Sequence, residues 1–146
     1  MSAGDGSVPE IDRAVLESIQ DRLRTAPQIE TAEIVVADGQ TKLEAPLTAA
    51  VTPEAIDRRF LDIRWYTNDD FRIQYQEDWP DRTWCQRWDR HPNAHNDREH
   101  FHPPPDAATP GEDRRWPGDF RSVLKLVVDA VRRRTESLWQ DIEDAD

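Results

Sequence analysis

The sequence predicts a single α+β domain, in which an antiparallel sheet of about five to six strands is flanked by an N-terminal helix and a long C-terminal helix. Three observations support this fold class. Apolar residues recur at helical spacing near both ends of the chain, segments between them alternate apolar and polar residues at the period of a strand, and short polar turns separate those segments. The 146 residues fit one domain, 1–146, that buries its own core.

The first predicted element is a helix from about Pro9 to Thr25. The segment Ser7-Val8-Pro9-Glu10 has the form of a capping box, with a hydroxyl at the cap and a carboxylate three residues later. Apolar side chains then follow at steps of four residues, namely Ile11, Val15, Ile19 and Leu23. We expect residues 1–8, which precede this pattern, to be flexible.

Strands fill the middle of the chain. A turn at Asp38-Gly39 joins the first two into a hairpin, and the polar turn at 68–70 joins the next two. Period-two alternation predicts strands over 29–36, 41–47, 60–65, 71–75 and 83–89, and a short sixth strand is allowed over 98–102.

The last third of the chain divides into a loop region and a helix. Residues 91–115 contain five prolines, which favour loop or extended chain and exclude a helix there. After this region a long amphipathic helix is predicted to pack across the sheet, because apolar residues recur at helical spacing at Phe120, Val123, Leu124, Val127, Val131, Leu138 and Ile142.

Composition excludes several classes of protein. The single cysteine, Cys85, rules out an intramolecular disulfide, and no apolar run approaches the ~20 residues that cross a bilayer. The first residues lack the charged-then-apolar order of a signal peptide, so we predict a cytoplasmic protein without a membrane partner. The net charge of −11, with 30 Asp and Glu against 19 Lys and Arg, is typical of proteins from salt-loving hosts.

The acidic charge is not evenly spread. Residues 82–115 carry six Arg and six Asp and Glu, so this stretch is close to neutral while the rest of the chain is strongly acidic. Contact with nucleic-acid phosphates requires local positive charge. The stretch therefore permits RNA binding on a chain that would otherwise repel RNA.

The same stretch holds every histidine of the chain, within a window of twelve residues from His91 to His102. Histidine binds metals and transfers protons near neutral pH, which makes this window the leading candidate site. In a strand over 83–89, Arg87 and Asp89 point to one side, and in a strand through His100 and His102 both imidazoles share a face.

If those two strands are neighbours, the four side chains form one cluster. Imidazoles can take and give a proton, a carboxylate can fix a tautomer, and an arginine can stabilise developing phosphate charge. Such groups cleave RNA without a metal or other cofactor, with the 2′-hydroxyl as nucleophile. We therefore predict Arg87, Asp89, His100 and His102 as candidate catalytic residues.

Other interpretations of these residues stay open. Arg87 and Asp89 can form a purely structural ion pair, and His91 and His95 can be polar loop residues. A metal-binding protein is also possible, with His100 and His102 as ligands and His91, His95 or Asp89 as the third. Cys85 shares the face of Arg87 and Asp89 but is more typical of an inert strand cysteine.

A fourth interpretation is a non-catalytic interaction protein, whose aromatic sheet and long helix bind a partner chain. Aromatic side chains can also stack RNA bases, although tryptophans on strands are more often part of the core. Three consecutive arginines, 132–134, lie on the predicted last helix. They can contact a partner or pair with acidic neighbours on the same helix.

Three segments in order resemble the TumE family of toxins from toxin–antitoxin pairs. They are Phe71-Arg72-Ile73-Gln74-Tyr75-Gln76, Arg87-Trp88-Asp89-Arg90-His91-Pro92 and Glu99-His100-Phe101-His102-Pro103, and the likeness extends over roughly residues 60–132. The resemblance implies a growth-inhibiting protein that a cognate antitoxin neutralises, with RNA as a plausible target. The resemblance lends no support to His95 or Cys85. Carried over residue by residue, it implies the site residues Arg87, Asp89, His91, His100 and His102, and so adds His91 to the candidate catalytic residues.

Overall fold

The computed structural model of the protein describes residues 9–91, 99–108 and 111–145. Two helices and seven strands make up the described chain. In order they are α1 (Arg13–Arg24), β1 (Glu33–Ala37), β2 (Gln40–Pro46), β3 (Arg58–Trp65), β4 (Phe71–Asp78), β5 (Thr83–Arg90), β6 (Glu99–His102), β7 (Glu112–Asp113) and α2 (Phe120–Ala145), with a 3-10 turn at Ala49–Val51.

The predicted α+β fold is confirmed, with one difference in the sheet. Each strand pairs antiparallel with the next one along the chain, so the spatial order β1 to β7 is the sequence order. The predicted count of five to six strands was too low. The seventh strand is the two-residue β7, which pairs with His100 and Phe101 of β6 and lies inside the region predicted to be loop.

Helix α1 begins later than predicted. Its N-cap is Asp12, whose side chain accepts a hydrogen bond from the Val15 amide at 3.1 Å. The predicted capping box was therefore wrong in position. The residues just before the helix pair with the β3–β4 turn instead, because Asp12 donates its amide hydrogen to the Trp65 carbonyl and Ile11 forms a bridge with Tyr66.

Both helices pack on one face of the sheet and bury the core there. Helix α1 contributes Leu16, Ile19 and Leu23, and α2 contributes an apolar stripe that includes Val123, Val127 and Val131. The strands supply Leu43, Ala45, Leu61, Ile63, Trp65, Phe71, Ile73, Tyr75 and Trp88. Their neighbours in sequence point to the opposite face, which carries polar side chains and is covered by neither helix.

A buried ion pair joins α2 to the sheet within this core. Glu77 of β4 has no exposed surface, and its two carboxylate oxygens accept hydrogen bonds from Arg134 Nε at 2.7 Å and Arg134 Nη2 at 2.8 Å. Tyr75 Oη at 2.7 Å and Trp79 Nε1 at 2.9 Å also donate to this carboxylate. All of its acceptor capacity is used, as a buried carboxylate requires.

A second buried cation extends the network to β3. Arg59 is 1% exposed, and its Nη1 donates to Thr135 Oγ1 of α2 at 2.7 Å and to Tyr75 Oη at 3.2 Å. Its Nη2 donates to the Val51 carbonyl at 2.9 Å. The helix is thus fixed to β3, β4 and the 3-10 turn by directional bonds as well as by apolar packing.

None of the helices in the described chain is both long and apolar enough to cross a membrane.

Replacing Glu77 with glutamine should lower the free energy of unfolding by about 3 kcal/mol, because it leaves the Arg134 guanidinium without its buried counter-charge. Burial acts to raise the pKa of Glu77, but hydrogen bonds from Arg134, Tyr75 and Trp79 lower it below the ordinary value. The carboxylate therefore stabilises the fold fully above the unfolded pKa of about 4.3, and this contribution is lost as the pH falls through the lower folded pKa.

Denaturant unfolding of wild type and E77Q at neutral pH and at successively lower pH measures both effects. The difference between the two proteins should be largest at neutral pH and shrink below pH about 4. The matched control is E136Q on α2, where the carboxylate is 70% exposed and its loss should change little. Equal stability of E77Q and E136Q would contradict the structural role of the pair.

Candidate functional site

The site predicted from sequence lies on the polar face of the sheet, where β5 and β6 run side by side. Antiparallel pairing places Asp89 opposite His100 and Arg87 opposite His102. All four side chains project from the face away from the helices, because Trp88 and Phe101 between them point to the helices. The structure therefore brings together the residues that the two sequence patterns predicted separately.

One oxygen of Asp89 is the centre of this cluster. Around Oδ2 lie His102 Nε2 at 2.9 Å, Arg87 Nε at 3.1 Å, His91 Nε2 at 3.5 Å and His100 Nε2 at 3.7 Å. The rings of His91 and His100 are also 4.8 Å apart, and those of His100 and His102 are 5.0 Å apart, in edge-on contacts. A single carboxylate thus faces one guanidinium and three imidazoles.

Burial divides the cluster into two groups. The side chains of Asp89, His100 and His102 are 1%, 1% and 3% exposed, whereas Arg87 is 17% and His91 is 46% exposed. His91 follows the last residue of β5, which explains why it reaches solvent while the strand residues do not. A molecule that approaches the site would meet His91 and Arg87 first.

The orientation of His102 is fixed by a backbone carbonyl. Its Nδ1 lies 2.9 Å from the Ala108 carbonyl oxygen, which can only accept a hydrogen bond, so Nδ1 carries the hydrogen. In the neutral ring the lone pair is then on Nε2, the atom that faces Asp89. Within the described part of the chain, neither His102 Nε2 nor Asp89 Oδ1 makes a hydrogen bond, although both atoms are buried.

Asp89 and His102 could accommodate a cation. A lone pair on Nε2 and an anionic oxygen 2.9 Å away repel each other, so a metal ion between the two atoms would stabilise the pair. Asp89, His100 and His102 could supply a metal ion with three ligand atoms that all lie within 4.8 Å of one another. The Nδ1 hydrogen bond to a carbonyl is the usual support of a metal-binding histidine.

The segment 103–108 packs beside this cluster. The Cys85 amide donates to the Pro105 carbonyl at 2.8 Å, and the Ala108 amide donates to the Pro103 carbonyl at 3.3 Å. This places the Ala108 carbonyl against His102. The short strand that the sequence allowed over 98–102 is β6, and it places two of the site histidines within the Pro-rich region 91–115.

Cys85 is not suited to act as a nucleophile. Burial raises the pKa of its thiol, and the thiolate is the reactive form. His95 lies outside the described residues, so the structure says nothing about its place.

Arg72 is a candidate that the sequence analysis missed. It lies on β4 directly across from Asp89, and it is exposed on the same polar face. Among the residues that the structure describes, Arg72 makes no hydrogen bond or ion pair; desolvation, and then the nearby charge of Arg87, lower the pKa of Arg72. The signal was present in the alternation of β4, where Arg72 stands between the buried residues Phe71 and Ile73.

A Gly111→Ala variant should disturb His102 without removing any candidate site residue. A Cβ on Gly111 would lie 2.9 Å from the Phe101 carbonyl oxygen and 3.0 Å from two atoms of the His102 ring, and the φ of +88° already disfavours alanine. We expect a loss of unfolding free energy of about 2 kcal/mol or more, with a shift of the His102 imidazole NMR resonances.

The matched control is Gly39→Ala, which has a similar φ of +77° but open space around the added Cβ. It should cost only about 1 kcal/mol, because positive φ is its one penalty. Equal losses in the two variants, with unchanged His102 resonances, would show that Gly111 does not position the ring.

Comparison with known proteins was made for the whole chain. Residues 19–135 match the family described as Toxin TumE. No curated protein and no solved structure matches the chain. Because the family match spans most of the sequence, it confirms the resemblance found in the three segments of the second half. The chain therefore belongs to the TumE toxin family, the toxin component of toxin–antitoxin systems, and this membership implies an antitoxin as its partner.

Proposed function

We propose that this toxin acts on RNA by metal-independent acid–base chemistry at the polar face of β4, β5 and β6. One observation carries the proposal: Arg87 and three imidazoles converge on the same oxygen of Asp89. Groups of this kind move protons and stabilise phosphate charge, which are the two tasks that cleavage of an RNA phosphodiester requires.

His91 is the proton-transfer group in this proposal. It is the most exposed imidazole of the cluster, and its Nε2 lies 3.5 Å from Asp89 Oδ2. A neutral imidazole has one nitrogen with a lone pair, which can accept the ribose proton. Asp89 orients the ring and stabilises the imidazolium that forms.

His100 and His102 are positioning residues, since they are almost completely buried. Their Nε2 atoms lie near Asp89 Oδ2, the same oxygen that His91 Nε2 faces, and the Ala108 carbonyl holds His102 in place. The hydrogen bond from Arg87 Nε at 3.1 Å holds the carboxylate, and the two buried rings enclose it, so that it presents one geometry to His91. This follows the general requirement that groups acting on a substrate be held by a rigid second layer.

Arg87 and Arg72 supply the positive charge. Arg87 lies beside Asp89 and is partly exposed. Arg72 lies on the neighbouring strand β4, is exposed, and has no ion-pair partner among the described residues. Guanidinium groups bind phosphate with two parallel hydrogen bonds. Their place on this face gives local attraction for RNA on a chain whose net charge is −11.

The reaction would proceed as follows. His91 removes the proton of a ribose 2′-hydroxyl, the 2′-oxygen attacks the adjacent phosphorus, and the bond from phosphorus to the 5′-oxygen breaks. The leaving 5′-oxygen takes a proton from water, and the imidazolium returns its proton to the hydroxide that remains. The products are a 2′,3′-cyclic phosphate and a 5′-hydroxyl end, and Arg87 and Arg72 stabilise the extra negative charge on phosphorus.

The test uses the purified toxin with a pool of random single-stranded RNA oligonucleotides in the presence of EDTA. We expect cleavage that leaves 2′,3′-cyclic phosphate ends, and no cleavage of the matched DNA pool, which lacks the nucleophile. His91→Ala should reduce the rate by about 10²-fold or more, the usual contribution of a general base.

The matched control is His95→Ala, which removes a histidine from the same window that gained no support as a site residue. It should retain the wild-type rate. Cleavage of DNA, complete loss of activity in EDTA, or a His91→Ala rate equal to wild type would each contradict the metal-independent mechanism.

A second candidate function, binding of a divalent metal ion, is favoured by a different observation. Asp89 Oδ1 and His102 Nε2 are buried atoms that have no hydrogen-bond partner among the described residues, and His100 lies beside them. Zinc–ligand bonds of about 2.0–2.2 Å place neighbouring ligand atoms roughly 3.3–3.6 Å apart in a tetrahedron. The Nε2 atoms of His102 and His100 lie 2.9 Å and 3.7 Å from Asp89 Oδ2, on either side of that range.

Calorimetric titration of the purified, EDTA-treated protein with zinc chloride tests this candidate. One ion per chain should bind, and His102→Ala should weaken binding at least ~10-fold because it removes one of three protein ligands. Cys85→Ser is the control, since it removes the nearby thiol and leaves the three ligands in place. An absence of binding heat, together with no metal by elemental analysis after metal-replete expression, would eliminate this function.

A further inference from the structure

A cleft with an aromatic floor lies on the helix side of the sheet, on the opposite face from the histidine cluster. Its cavity volume is about 530 Å³, within the usual range of binding pockets. Trp84 and Trp88 of β5, Phe101 of β6 and Trp116 form the floor, and Arg114 and Arg133 lie at the rim. We call these six residues the aromatic cleft.

The width of the sheet explains why this cleft exists. Seven strands spaced about 4.8 Å apart span roughly 29 Å, whereas two helices of about 10 Å cover only about 20 Å. The buried core under α1 and α2 is built mainly by residues of β2, β3 and β4. Strands β5 and β6 contribute one buried residue to it, Trp88. The helix-facing side of β5 and β6 is therefore left partly open beside α2.

An uncovered sheet face is expected to be polar, but this part of the sheet carries aromatic side chains. Trp88 and Phe101 have ring centroids 5.9 Å apart, and Phe101 and Trp116 meet edge to face at 6.4 Å. Trp84, Phe101 and Trp116 are only partly buried. Clustered aromatic side chains around an open cavity are typical of the centre of a protein–protein interface.

The charge of the cleft is opposite to that of the chain. Three arginines, Arg114, Arg133 and Arg134, line the cavity, and none of the described residues that line it is an Asp or Glu. Arg134 is paired with Glu77, and Arg114 with Glu112. Arg133 makes no ion pair among residues 9–91, 99–108 and 111–145 and has only a longer-range attraction to Asp129, which itself pairs with Lys125 and Arg132. The rim therefore carries positive charge in a protein of net charge −11.

We propose that the aromatic cleft is the docking site for an acidic segment of the antitoxin, with an apolar side chain seated on the aromatic floor and carboxylates paired with Arg133 and Arg114. The inference rests on membership of the toxin family and does not depend on the chemistry proposed for the histidine cluster. Carboxylate partners complement the rim, and an apolar anchor complements the floor.

The geometry of the rings favours a protein segment over RNA. The Arg134 guanidinium lies 3.7 Å from the centroid of Trp84, and that of Arg114 lies 5.4 Å from the centroid of Phe101. The faces of Trp84 and Phe101 therefore already carry a cation, Trp88 is tilted by 49° against Phe101, and Trp116 meets Phe101 edge to face. Single-stranded RNA binds by stacking successive bases on open ring faces, and two of the four rings of the cleft already have a guanidinium in that place.

The experiment compares two adjacent arginines of α2. Arg133→Glu reverses the charge at the rim, and Arg132→Glu makes the same change at a 58% exposed arginine that pairs with Asp129 and does not line the cavity. Each purified variant is titrated with the purified cognate antitoxin at one salt concentration. Arg133→Glu should weaken binding at least ~10-fold, and Arg132→Glu should change it less than ~3-fold.

Ala130→Gln provides a second variant, which places a longer side chain in the cleft without changing the net charge. It should also weaken antitoxin binding, and circular dichroism should show the wild-type fold. In cells, the Arg133→Glu toxin should inhibit growth like wild type but escape neutralisation by the antitoxin. This readout is independent of RNA chemistry.

Equal weakening by Arg133→Glu and Arg132→Glu would show a general charge effect and overturn the docking site. Wild-type antitoxin affinity in both Arg133→Glu and Ala130→Gln would also overturn it. If the two cleft variants instead lose affinity for the random RNA pool and keep their affinity for the antitoxin, the cleft is an RNA surface and the inference is wrong.

Discussion

The structure depends on one buried carboxylate, that of Glu77. Four donor groups from three side chains fill it, and one of those side chains is Arg134 of α2, 57 positions later in the sequence. Apolar packing alone would let the long helix slide along the sheet, since an apolar stripe has no preferred register. The bidentate bond to Glu77 and the bond from Arg59 to Thr135 fix both its position and its rotation.

Both helices pack on one face of the sheet, so the apolar core is completed there. The opposite face can therefore carry polar and charged side chains that a core would exclude, and the histidine cluster lies on it. It buries Asp89, His100 and His102 through contacts among themselves, with Arg87, and with the segment 103–108, instead of against apolar residues.

Local patterns predicted most of the elements and the two residue pairs that meet at Asp89. Alternation placed Arg87 with Asp89 and His100 with His102, and helical spacing identified the long final helix, because both signals lie within one element. The pairing of β5 with β6, which joins the two residue pairs, was only a condition of the sequence hypothesis, and it became known from the register of the sheet. His91 entered the candidate site through the family resemblance, since no strand pattern extends to it.

Features that depend on distant parts of the chain were not predictable in this way. Asp12 rather than Ser7 caps α1 because residues 11 and 12 bond to the β3–β4 turn, which no local pattern indicates. Glu77 lies beyond the strand predicted over 71–75, and Arg134 was identified only as one member of an arginine run, so nothing local indicated that the two would pair. Arg72 was overlooked because its relation to Asp89 appears only when the register of β4 and β5 is known.

The alternation of β6 has a mechanical consequence. His100 and His102 point to one face and Phe101, between them, points to the other, so the three side chains share a stretch of backbone too short to bend independently. If the antitoxin docks on Phe101 as proposed, it contacts the same four-residue strand that carries the two imidazoles on the far side. A shift of this strand would then move the docking residue and both histidines together.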